Sequence, residues 1–130
     1  MNRDQITPYR IRKIIIEESK RAHVGHIGSA LSVADILAVL FGTELRHCGT
    51  DDPLRDRFIL SKGHAALTLY AALQLKGIID EDQLHTYCGD NSLLGVHPEH
   101  HLPGVDFSTG SLGQGLSVGA GVALAARLSG

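Results

Sequence analysis

Only one stretch of the 130-residue chain reads as a buried β-strand, Phe58-Ile59-Leu60, and it runs straight into the turn Ser61-Lys62-Gly63-His64 and a strongly apolar helix pattern. Strand, tight turn and helix in that order begin a parallel β–α–β unit, and such a unit needs a second strand beside the first. No second convincing strand follows in the sequence. The expected fold is therefore α/β, the first part of a doubly wound domain, mostly helical over residues 1–130. The remaining strands are expected outside this stretch. The length leaves room for one domain and no more.

Helical periodicity accounts for most of the rest. From Asp4 to Lys20 the residues Ile6, Tyr9, Ile11, Ile14 and Ile15 recur at helical spacing with charges between them. Gly25, His26 and Gly28 interrupt that pattern, and Ser32 followed by Asp35 resembles an N-cap for a second helix over Val33 to Glu44. Arg46 to Arg57, with Asp51-Asp52-Pro53, suits a surface loop. After the strand, Ala65, Leu67, Leu69, Tyr70, Leu73 and Leu75 predict a helix closed by Gly77, and Asp80 can cap a short helix through Leu84. Gly89 to Gly113 has no regular period, and a loop of that length inside a compact domain is usually functional. A last helix is expected from Gln114 to Leu128. Between Gly115 and Ala126 it is apolar nearly all round, so something beyond the 130 residues is expected to cover it.

Composition excludes several classes of function. With 43% hydrophobic and 20% charged residues the chain has the makings of a core and is not disordered. Twelve basic against fourteen acidic residues, with no basic run, argue against nucleic acid as a partner. Cys48 and Cys88 lack any paired zinc spacing and suit reduced thiols, the start Met1-Asn2-Arg3-Asp4-Gln5 lacks a signal-peptide run, and Asp35 interrupts the best apolar stretch. A cytoplasmic protein without a membrane anchor is expected.

Among the chain's fifteen glycines and eight histidines, four segments set the two residue types beside each other or at turns: Gly25-His26-Ile27-Gly28, Ser61-Lys62-Gly63-His64, Val96-His97-Pro98-Glu99, and Thr109-Gly110-Ser111-Leu112-Gly113-Gln114-Gly115. Each is expected on a turn at a helix start, where backbone N–H groups are exposed and histidine can move protons near neutral pH. Any single histidine is more readily explained as packing in its own turn; four segments together favour a substrate or cofactor site. A dinucleotide fingerprint is unsupported, because Gly113-Gln114-Gly115 is followed by Val118 where a third glycine belongs. Glu99, His100 and His101 with His97 suggest a metal, but Pro98 rules out a helical two-histidine face and a solvated loop is expected instead. Gly89-Asp90-Asn91 reads as a turn, and the mixed charges of Asp51 to Arg57 as a solvated loop.

Taken in order, these segments resemble the N-terminal, diphosphate-binding domain of transketolase, a thiamine diphosphate enzyme. The stretches that carry the resemblance are Gly25-His26-Ile27-Gly28 with Leu31 to Leu37, Arg55 to Ala65, His97-Pro98-Glu99, Pro103-Gly104-Val105 and Ser108 to Ser117. The resemblance implies a doubly wound thiamine-diphosphate-binding domain and transfer of a two-carbon ketol unit from a ketose to an aldose. It places His64 beside the cofactor's diphosphate, Gly110, Ser111 and Leu112 against its rings, and His26 and His97 at the substrate. His47, His85, His100 and His101 fall outside the matching stretches. The family usually has proline at the position of Ile27 and glycine at that of Val96, which bears on loop shape and substrate choice. Its Gly-Asp-Gly motif and later Asn, which hold Mg2+ on the diphosphate, belong just past Gly130. Its activating glutamate belongs to a pyrimidine-binding half in a neighbouring subunit. The resemblance thus implies sugar phosphate substrates, a homo- or hetero-oligomer, no metal ligand in this stretch, and no catalysis by this stretch alone. Part of a deoxyxylulose-phosphate synthase, or a non-catalytic binding or regulatory remnant, are the alternatives.

Overall fold

In the computed structural model, which describes residues 6–130, regular structure among the described residues is helical throughout. Helix α1 spans Pro8–Ala22. Thr7 caps it, its side chain accepting from the Arg10 N–H at 3.2 Å, and Pro8 stands in the first turn, where its missing N–H costs nothing. The helix ends where His23 takes a left-handed conformation at φ 54°. The expected start at Asp4 lies outside the described residues.

A further short helix, α2 at Ile27–Leu31, precedes the second expected helix, which stands as α3, Ala34–Val39, and continues as one π-helical turn over Leu40–Glu44. Its cap is corrected. Ser32 ends α2 and does not cap α3: its hydroxyl donates backward to the Ser29 carbonyl at 2.8 Å, the competing local bond that short polar side chains offer. Gly28, expected to break the helix, lies inside α2.

A 3-10 turn, Gly63–Ala65, leads into α4, Ala66–Leu75, in which every residue but Gln74 is buried. An all-round apolar helix belongs in the centre of a core, and α4 packs against α1, α2, α3 and α5. Its end is a Schellman motif: Gly77, at φ 78°, donates to the Gln74 carbonyl and Ile78 to that of Leu73, both at 2.9 Å. The short helix α5, Glu81–Leu84, opens with a reciprocal capping box between Asp80 and Gln83. The following loop is fixed by its own buried side chains, Leu94, Pro98, Leu102 and Val105. Gly89-Asp90-Asn91 is a turn, closed by the Ser92 N–H on the Gly89 carbonyl at 3.2 Å.

The strand expectation is corrected as well. Among the described residues no strand forms, so the α/β half of the expected fold is not visible and the mostly helical half is. A strand exists only through its ladder, and around Phe58-Ile59-Leu60 side chains take that place. Asp106 accepts from the Phe58 N–H at 2.9 Å, and Thr109 donates to the Leu60 carbonyl at 2.6 Å. Helix α6, Gln114–Ser129, leans on this segment through its first turns and is otherwise exposed. None of the described helices is long and apolar enough to cross a membrane.

Candidate active site

Glycines draw the site's turns together. A Cβ on Gly63 would stand 2.8 Å from the Gly110 nitrogen, so only bare backbone lets the two turns touch. A Cβ on Gly115 would stand 2.5 Å from that of Ser61, and the Gly115 N–H donates to the Ser61 hydroxyl at 3.2 Å. With the Thr109–Leu60 bond, these contacts fasten segment 109–115 along segment 60–64. The His97 loop is held from below: the buried Tyr70 hydroxyl lies 3.0 Å from the carbonyls of Gly95 and His97 and donates to one at a time. Burial raises the Tyr70 phenol well above its ordinary pKa, so it stays a donor. The Thr109 N–H reaches the Pro98 carbonyl at 3.3 Å.

His26 enters from the opposite side, at the start of α2, in a left-handed conformation (φ 63°, ψ 14°) that non-glycine residues adopt at a cost of about 1 kcal/mol. Helix α2 is tied to the core by the Thr68 hydroxyl, which donates to the Ala30 carbonyl at 2.7 Å, and to the central turn by Lys62, whose ammonium donates to Ser32 at 2.7 Å. Three imidazoles from three separate turns consequently meet. The His64 centroid lies 4.9 Å from His26 and 4.8 Å from His97, edge to face with each, while His26 and His97 are 6.4 Å apart. Gly110 lies against the His97 ring, where a Cβ would stand at contact distance, 3.4 Å. His64 and His97 are half-buried and His26 is exposed, so the cluster opens to solvent on the His26 side.

The sequence profile described as the transketolase thiamine diphosphate binding domain matches residues 3–129. The chain belongs to the transketolase family. Among its relatives are an apulose-4-phosphate transketolase subunit of Phocaeicola vulgatus, 40% identical over 90% of this chain and 42% of the relative, and a 6-deoxy-6-sulfo-D-fructose transketolase subunit of Clostridium sp., 40% identical over 91% of this chain and 44% of the relative. The transketolase of Treponema pallidum is 41% identical over 88% of this chain and 18% of its own length. The chain thus spans less than half the length of these relatives.

Within this transketolase-family chain, the residues singled out from the sequence do not all come together equally. His26, His64, His97 and Gly110 form one cluster. Ser111 and Leu112 lie on the exposed side of the same turn, Leu112 with 70% of its surface open. Three of the four segments stand at helix starts as expected; Val96 to Glu99 does not, because Pro98 is buried in an irregular loop. The donors fit a thiamine diphosphate: imidazole nitrogens for polar atoms, an exposed apolar side chain for a flat ring, and a glycine turn whose backbone is open where a Cβ on Gly113 would meet nothing within 4 Å. Burial raises the Cys48 thiol, which makes it a poor nucleophile. Ser61 and Thr109 stood in the singled-out segments without a role, and Tyr70 was read only as part of a helix. Tyr70 had one signal, the lone aromatic ring of a strongly apolar helix, where a buried hydroxyl must find a partner.

Proposed function

We propose that the chain supplies the diphosphate-side part of a thiamine-diphosphate-dependent transketolase, acting on a ketose and an aldose. The observation that carries the reading is the convergence of His26, His64 and His97 beside the Gly110 turn. When bound, the cofactor supplies a carbon nucleophile and an electron sink, leaving the protein to orient the reactants and move protons. His64, the middle ring, orients the cofactor, with Gly110, Ser111 and Leu112 lining its rings. His97, braced through Tyr70, and His26, on the open side, exchange protons with hydroxyl and carbonyl oxygens of the substrate.

The names of two relatives, a 4-phosphate and a 6-sulfo sugar, share a sugar with an anionic group. A sugar phosphate or similarly charged ketose is the substrate class proposed here. Three relatives are named as subunits of a transketolase, which supports a second, pyrimidine-binding subunit for this chain too, with Mg2+ held by residues outside it and activity only in the assembled oligomer. Two free thiols suit a reduced cytoplasm.

The test is steady-state kinetics and cofactor titration on the assembled enzyme. His26→Ala and His97→Ala are expected to lower turnover about a hundredfold with cofactor affinity unchanged, whereas His64→Ala weakens the cofactor itself. Full activity of the His97 variant toward ketose donors would overturn the assignment.

A further inference from the structure

We propose that Glu99, His100 and His101 form a surface site for a divalent metal of the zinc class, separate from the three-histidine cluster and independent of the function proposed above. One ligand atom from each lies within 4.8 Å of the other two, and the two imidazole centroids are 4.0 Å apart. The sequence argued against a metal because Pro98 denies a helical spacing. Consecutive residues in a turn need no helical spacing: the chain turns at 100–101 and brings the three side chains to one side.

A second observation concerns which atoms are free. Ser108, across the loop, has one hydroxyl proton, and it is donated to Glu99 Oε2 at 3.1 Å. The Ser108 oxygen accepts from the His100 backbone N–H at 2.9 Å and lies 3.0 Å from His100 Nδ1. With its proton already committed to the carboxylate, Ser108 can only accept from Nδ1, which therefore carries the ring proton in the neutral imidazole. His100 Nε2 is left as a bare lone pair, the form that binds a metal, and Ser108 acts as the outer partner that orients both a carboxylate and an imidazole.

Two imidazoles and one carboxylate suit zinc and its neighbours rather than magnesium, and three protein ligands leave a fourth position for water. Tetrahedral zinc needs its donors about 3.4 Å apart, so an ion would draw the three exposed side chains closer than they stand without it. An ion so held would brace the turn that follows His97.

The experiment is titration of the tag-free full chain with Zn2+ by calorimetry and with Co2+ by visible absorption. One equivalent is expected to bind and to raise the thermal unfolding midpoint. His100→Ala, His101→Ala and Glu99→Ala should each abolish that midpoint rise while leaving the metal-free midpoint in place. Ser108→Ala should weaken binding by about ten- to a hundredfold. The proposal is overturned if the His100→Ala/His101→Ala double variant binds as tightly as the parent, or if His64→Ala removes the binding instead.

Discussion

The Ser19 hydroxyl is buried in α1 and, among the described residues, has no hydrogen-bond partner. A buried donor left unpaired costs its desolvation, so Ser19→Ala should stabilise the protein by about 1 kcal/mol, read as a higher urea midpoint at unchanged slope. Nothing in the sequence marks this residue, since its burial follows from which side of α1 meets α4. Asp56 is the reverse case, a partly exposed carboxylate with good partners. Hydrogen bonds from the Arg46 side chain and backbone lower its pKa from 3.8 to about 2. A depressed folded-state pKa stabilises above 3.8 and is lost as pH falls toward 2, so the stability gap between the parent and Asp56→Asn should hold near neutrality and close over that acid range. Matched denaturation curves at several pH values check it.

Between elements, the contacts that shape the site are backbone on backbone. Gly63→Ala places a methyl against the Gly110 nitrogen, where no flexible side chain can yield. A cost of about 1–3 kcal/mol is expected, and in the assembled enzyme a weaker cofactor, because the His64 and Gly110 turns are forced apart. Thermal unfolding together with cofactor titration measures both. The sequence marked Gly63 and Gly110 as important but offered no reason to pair them. Helices α1 and α5 are joined by Glu18, its side chain 4% exposed, which accepts from Arg21 at 2.8 Å and meets His85 Nδ1 at 2.7 Å. His85, outside every motif, thus has a structural role. Both partners are about half exposed, so Arg21→Ala, which leaves the buried carboxylate with His85 alone, should destabilise by about 2 kcal/mol and more than Glu18→Gln, which removes the buried charge. Equal losses in chemical denaturation would refute that ordering.

On the scale of the whole molecule, α6 is the unfinished surface. Leu116, Leu124 and Leu128 are 82%, 56% and 79% exposed, and a groove of about 600 Å³ runs between this helix and segment 55–61. Burying one leucine contributes about 1.5–3 kcal/mol, so three left in water favour association. The isolated chain should self-associate as its concentration rises, and Leu116→Ser with Leu124→Ser should shift it toward monomer; sedimentation velocity distinguishes the two. The small-residue, all-round apolar pattern from Gly115 to Ala126 already predicted a helix in need of cover, and α6 is that helix.

Local rules written into consecutive residues determined where helices run and stop: the 3.6-residue spacing behind α1 and α4, the glycine at φ 78° after Lys76, and the Asp80–Gln83 box. The ordered motifs also determined the family. Tertiary structure alone decided that Phe58 to Leu60 bonds to Asp106 and Thr109 instead of forming a ladder, that Ser32 closes α2 instead of opening α3, and that His26, His64 and His97 touch. Helix periods and caps depend on atoms a few residues apart, which the sequence lists side by side. The ring contacts depend on glycine backbones and a buried tyrosine hydroxyl holding distant turns together, and that proximity exists only once α4 has been buried among its neighbours.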